Sequence, residues 1–442
     1  MKKFIVPLVA VMVVSIILAG CVPGAAPAPP VTPPPVTPPP VTPPPVTPPP
    51  EVAPKVLKLG TITPLSGPAA PWGVTCLHGL QLFCERINEG GGIEIGGETY
   101  MLEAHGYDDK GYIPAEALKC AKKAVLEDGV RYFHSTSTSA HVTATAPFLL
   151  EHDALLFTHG AGFGIRPEWP NVIASYTFWP QIDTYPILAT AAAHPEIETA
   201  AIITIDVSYT PDDLTWIRAA TKSVGWDIVY DEVYPPDTLD FHPLMTAILA
   251  TEPDVINLGL TYAGAVPDIL AVGRELGYEG KWIVYSLLMD KVAEKVPVEY
   301  IEGTFGSAPD LDNPDVVGVE VADFFSEYST RWPGEWIAES ISCPNVFLVA
   351  LKGMELADSV DPVKVRDALF AEDLIDHPYL GTGHWGGAEL FGADHWLITP
   401  WYVGQVVEGR FTAVDMLAFY PWWDANKDLV CAEAEAVGFE LP

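Results

Sequence analysis

From residue 56 onward, short apolar runs alternate with segments whose apolar residues recur at helical spacing, and the whole alternation runs twice. Residues 56–60 read as a buried strand, closed by the turn around Pro64, Leu65, Ser66 and Gly67. Residues 72–88 place Leu77, Leu80, Phe83, Cys84 and Ile87 on one helical face, and the glycines at 90–92 end it. Two short strands flank Gly96 and Gly97, and Pro114 opens a second helix with Leu118, Ala121, Val125 and Leu126 on one face. Strands at 130–133 and 154–158 bracket a helix at 143–151. After residue 198 the rhythm returns, with strands at 200–205, 228–234, 255–260 and 282–286 and helices at 212–224, 244–250 and 266–276. Strands alternating with helices predict parallel sheets covered on both faces, and two such sets predict two doubly wound α/β lobes. Ligands bind such sheets beyond the carboxyl ends of the strands. Two facing lobes turn that edge into a cleft.

The first 55 residues follow a different logic. Lys2 and Lys3 precede an apolar run of fifteen residues, 4–18. That suits a signal-peptide core rather than a spanning helix, which needs about 20 residues. The run ends in Leu18, Ala19, Gly20 and Cys21, which resembles a bacterial lipobox and makes Cys21 the expected site of lipidation. Dual acylation gives stable anchoring where one chain does not. Residues 22–55 hold VTPPP four times in tandem, and 17 of the 44 prolines fall between 22 and 54. Proline fixes φ and lacks the N–H of a helix or sheet, so this stretch reads as an extended polyproline II stalk. At ~3.1 Å per residue the repeat alone reaches roughly 60 Å. The expected product is exported and lipid-anchored on the outer face of the cell membrane, its body held off the surface.

Composition excludes some partners. Lys and Arg number 23 against 58 Asp and Glu, a net charge of −35. Such a surface repels a phosphate backbone, so nucleic-acid binding is excluded, and anionic headgroups are disfavoured. At 442 residues with 49% hydrophobic content the chain supports two or three cored domains.

Within that frame the motifs carry a resemblance. KLGTITPLSGPAAPWG (58–73), INEGGGI (87–93), YDD (107–109), EDGVRYF (127–133), LLFTHGAG (155–162) and DPVKVRDAL (361–369) resemble, in order and spacing, the type I periplasmic binding proteins. The nearest subset is the branched-chain amino acid and amide binding proteins of ABC importers. The resemblance implies two Rossmann-like lobes joined by three crossovers: 56–177 with 305–391, and 178–304 with 392–442. It implies a binding protein rather than an enzyme, without cofactor or metal, working as a monomer with permease subunits.

The same resemblance implies a pocket. Trp72 matches an aromatic residue that packs over ligand. Ser137 and Thr138, in the run 135–139, match the loop that holds a ligand carboxylate through hydroxyls and helix-start N–H groups, an arrangement suited to any anion. Gly160 and Gly162 match a second backbone segment, where Gly162 replaces a common Thr. Tyr209 and Tyr262 match ligand-facing tyrosines of the second lobe. At the next strand end the family presents a carboxylate to a ligand ammonium; here the chain reads Tyr285, Ser286, Leu287, Leu288. A desolvated ammonium without a counter-charge is costly, so Leu287 argues against a zwitterionic amino acid unless Asp290 or Asp206 substitutes. Phe178, Trp179 and Met289 are candidates for apolar surface, and His134 and His159 for donors to a ligand oxygen. The aromatic residues Trp396, Trp401, Tyr402, Tyr420, Trp422 and Trp423 are expected in core and hinge packing.

Two other classes stay open. A ligand-sensing ectodomain needs a signalling module, and a hydrolase needs a nucleophile with a base in reach. No HExxH, GxSxG or P-loop pattern is present. No CxxC spacing suggests zinc, and pairing among Cys76, Cys84, Cys120, Cys343 and Cys431 is not legible, although Cys84 and Cys120 lie on consecutive helices.

Overall fold

Each predicted strand from residue 56 to 286 has an observed counterpart. In this computed structural model, which describes residues 53–67, 69–135, 139–158, 164–175, 178–207 and 209–442, the strands sort into two sheets. The first sheet takes β1 (Lys55–Thr63), β2 (Ile93–Ile95), β3 (Glu98–Asp108), β4 (Tyr132–Ser135), β5 (Leu155–Thr158) and β6 (Val172–Ala174). The second takes β7 (Thr199–Ile205), β8 (Asp227–Tyr234), β9 (Val255–Asn257), β10 (Lys281–Val284) and β11 (Phe305–Gly306). The chain then returns to the first sheet for β12 (Leu374–His377), β13 (Gly381–Gly386) and β14 (Trp396–Ile398). It ends in the second with β15 (Trp401–Val407) and β16 (Arg410–Leu417). The first sheet runs β12-β13-β14-β6-β5-β4-β1-β3-β2 and the second β16-β15-β11-β10-β9-β7-β8. Among β1, β3, β4, β5 and β6, and among β7 to β11, all pairings are parallel.

The chain passes between sheets after β6, after β11 and after β14, making the three crossovers of the type I fold. Two boundaries fall later than the sequence suggests. β11 pairs with β10 and β15, so 305–306 stay with the second sheet. β14 pairs with β13 and β6, so 396–398 stay with the first. The cause is strand length: β11 has two residues and β14 three, too few to show a period.

Helix α1 (Ala70–Glu89) starts with Pro71 in its first turn and buries Leu80, Phe83 and Cys84 of the predicted face; Leu77 and Ile87 are half-buried, and Cys76, outside that pattern, is buried too. Gly91 and Gly92, at φ 100° and 86°, turn the chain into β2, a conformation only glycine adopts freely. The later helices labelled here are α2 (Ser139–Glu151), α3 (Phe178–Ala193), α4 (Thr210–Ser223) and α5 (Glu339–Ala357). Helix α5 is buried along most of its length, packs on α1, and carries Pro344. Proline cannot donate to the carbonyl four residues back. That carbonyl, of Ser340, faces Gly79 of α1, where an added Cβ would stand 1.9 Å from its oxygen. The two helices therefore meet backbone to backbone. Among the described residues no helix is long and apolar enough to cross a membrane. Cys21 and residues 22–52 of the expected stalk lie outside the described residues, and Lys55, placed at its end, instead opens β1.

Candidate functional site

The first turn of α1 holds Trp72 between the lobes. Its ring lies 5.2 Å edge-on from Tyr262 and 6.2 Å from Tyr209, both of the second lobe, and 6.2 Å from Tyr112 of the first. Trp72 and Tyr262 line a cleft of about 780 Å³ with Thr75, Phe241, Leu288 and Ile337. Such a volume suits a small organic solute. Tyr209 stands immediately before α4 and is buried; its hydroxyl donates to the Leu260 carbonyl at 3.2 Å.

Trp72, Tyr209 and Tyr262 are thus brought together. Leu287 packs in the hydrophobic core, and its neighbour Leu288 takes the cleft position. Asp206 and Asp290 are both exposed. Ser137, Thr138, His159, Gly160 and Gly162, with the side chains of Phe178 and Trp179, lie outside the described residues. His134 turns into the first lobe, its Nδ1 2.9 Å from Thr61 Oγ1. Cys84 and Cys120 are both free, and Cys120 donates to the Asp108 carbonyl.

Two groups that sequence reasoning missed complete the site. Tyr112 follows the YDD strand end in a tight turn, at φ 64°, with its N–H and that of Gly111 donating to Asp109 Oδ1. Asp109 and His141 are buried 3.6 Å apart; burial raises the acid to about 6 and lowers the imidazole to about 4. The second group is Glu339, in the first turn of α5 and 4% exposed. Its Oε1 accepts a 2.9 Å hydrogen bond from Tyr285 Oη, at the end of β10 in the opposite lobe. Its Oε2 is buried with no partner. Burial raises this carboxyl to about 7, and the Tyr285 hydroxyl only partly offsets that. A second contact between lobes joins Ser139 Oγ, at the start of α2, to Asp212 Oδ2 of α4 at 3.0 Å. A buried carboxylate with an open oxygen beside aromatic walls suits holding a guest.

Two Rossmann-like lobes that pinch an aromatic cleft at their strand ends define a solute-binding protein. Residues 56–410 match the family model described as periplasmic binding protein, and the chain belongs to that family, in its type I branch. Members of this family are solute-binding proteins, not enzymes. Among curated relatives, the Leu/Ile/Val-binding protein BraC3 of Rhizobium johnstonii is 34% identical over 102 residues, 23% of this chain and 26% of its own length. The Leu/Ile/Val-binding protein homolog 8 of Brucella abortus is 26% identical over 263 residues, 56% of this chain and 63% of its own. The chain thus spans less than two-thirds of either. Among solved structures, the closed leucine-, isoleucine-, valine-, threonine- and alanine-binding protein of Brucella ovis superposes with a TM-score of 0.66. It is 18% identical and covers 83% of this chain and 96% of its own. A Rhodopseudomonas palustris solute-binding protein in complex with p-hydroxybenzoic acid gives 0.64 at 20% identity, covering 84% and 100%.

Proposed function

We propose that this chain is the extracytoplasmic solute-binding lipoprotein of an ABC importer. It captures a small carboxylate or amide, amino-acid-like or a branched or aromatic acid, and hands it to permease subunits. The observation that carries the reading is the ring cluster of Trp72 with Tyr209 and Tyr262, which joins the two lobes across a cleft sized for such a solute. The names of its relatives support it: Leu/Ile/Val-binding proteins by sequence, and an aromatic-acid complex by fold. Glu339 favours ligands with an amine, because an ammonium would satisfy its open oxygen. A second reading, an acid without amine, is favoured by Leu287 and Leu288 where the family places its own carboxylate.

Calorimetry with leucine, its deaminated analogue 4-methylpentanoate, and benzoate tests the proposal. Saturable binding of at least one is expected. Silence with all three, and no solute retained on the purified protein by mass spectrometry, would refute solute capture. Leucine binding alone selects the amine reading, and binding of the acids alone selects the second.

Anchoring is a separate part of the proposal and has its own test. Replacing Cys21 with serine removes the thiol that accepts the lipid, so the variant is expected to stay an unlabelled precursor when cells are fed a radioactive fatty acid. Ordinary labelling of that variant would show that the anchor lies elsewhere.

A further inference from the structure

Two cysteines with no part in solute capture meet inside the first lobe. Cys76 Sγ and Cys343 Sγ are 2.7 Å apart across 267 residues of sequence, and both residues are fully buried. Unbonded carbon atoms settle at about 3.5–4 Å, and sulfur is larger, so the spacing is too short for two separate thiols and longer than the about 2.05 Å of a closed bond, to which it lies nearer. Two thiolates on a tetrahedral zinc, each about 2.3 Å from the metal, would stand wider still, near 3.8 Å. The helices that carry them are already locked together, since Gly79 admits the Ser340 carbonyl against α1.

We propose that Cys76 and Cys343 are joined by a disulfide that staples α1 to α5 one helical turn behind Trp72 and Glu339, fixing the first lobe's half of the binding site. Each cysteine sits four residues after a residue at the junction of the lobes on its own helix, Trp72 lining the cleft on α1 and Glu339 bonded to Tyr285 on α5, so the staple sets the spacing of both.

The surroundings suit the chemistry. His134 Nδ1 lies 3.2 Å from Cys343 Sγ and 3.5 Å from Cys76 Sγ, in place to accept a thiol proton. Burial alone would raise the Cys76 thiol, but the Cys343 hydrogen bond and the His134 ring bring it well below its usual range. The Cys76 thiolate attacks the disulfide of an oxidant of the dithiol-exchange class, and Cys343 then displaces that oxidant. Two S–H bonds break and one S–S bond forms. The two electrons and two protons leave on the oxidant as a pair of thiols. Because the finished pair is sealed from solvent, the bond closes while α5 is still docking onto α1.

The test is a cysteine map of the full chain, recovered from an exporting host without reductant and denatured in iodoacetamide and chelator. A peptide pair linked through Cys76 and Cys343 is expected, two hydrogens lighter than the sum of its parts. Cys84, Cys120 and Cys431 should alkylate at once. Alkylation of Cys76 and Cys343 before reduction overturns the proposal, and so does stoichiometric zinc on the native protein accompanied by that alkylation. The map needs no variant and no ligand, so its outcome is independent of whether the chain binds a solute. Protein refolded under dithiothreitol should melt about 5 °C or more lower; an unchanged melt would remove the stapling role.

Discussion

Replacing Glu339 with glutamine is expected to weaken binding of a primary amine such as leucine by about 30-fold or more, while 4-methylpentanoate loses little. Removing one partner of a desolvated charge pair costs about 2–5 kcal/mol, which sets that scale. The pH dependence follows from the raised carboxyl. Burial raises Glu339 to about 7, so below that pH it holds a proton that a cationic ligand must displace. Amine affinity should therefore climb as pH rises from 5 to 7, by up to about tenfold per unit, and level off above. E339Q should flatten the climb. Stability moves the other way. A carboxyl whose folded pKa exceeds its unfolded value favours the folded state at low pH. That contribution drains away as pH rises from the ordinary carboxyl value of 4.5 to about 7. It amounts to about 3 kcal/mol. Empty E339Q should accordingly outlast the parent in urea at pH 8 and match it at pH 4.5. Equal amine affinity in both proteins across this range would show that Glu339 does not read the ligand.

The second large effect is expected at Gly79. Alanine there ordinarily strengthens a helix by about 1 kcal/mol. Here its methyl would stand 1.9 Å from the Ser340 oxygen, so α1 and α5 must separate. Overpacking of this kind costs about 1–3 kcal/mol and sometimes more. G79A should lower the unfolding free energy by about 1–3 kcal/mol, read as a lower urea midpoint with no change in slope. It should also weaken solute binding, since Trp72 and Glu339 ride on the two helices forced apart. A midpoint equal to the parent's would mean the helices are not in backbone contact.

The alternation of strand and helix through residue 286 was legible because each element carries its own period. Residues 305–417 were not, because β11, β14 and the hairpin strands are short or pair antiparallel outside the repeating unit. Trp72, Tyr209 and Tyr262, whose rings meet between the lobes, were singled out through the resemblance, each at a position just after a strand end. Glu339 was hidden for a physical reason. Helix α5 is buried on nearly every side, so it shows no apolar stripe, and an acid in a first turn usually only complements the helix dipole. Tyr285 was visible as a strand end, but its acidic partner comes from 54 residues further on and from the other lobe. No local pattern encodes such a meeting.

The Tyr285–Glu339 and Ser139–Asp212 hydrogen bonds cross between the lobes, and both partners of each belong to the protein itself. Each bond of this kind is worth about 1 kcal/mol, so the two together favour the shut form by roughly thirtyfold over a pair of lobes lacking them. A receiver that recognised only the shut silhouette would often be handed an empty container. Discrimination between cargo and vacancy must then rest on a feature that the guest alone changes, and under the proposed amine reading the charge on Glu339 would be such a feature, since burial raises its carboxyl to about 7 and a neighbouring ammonium would hold it ionised.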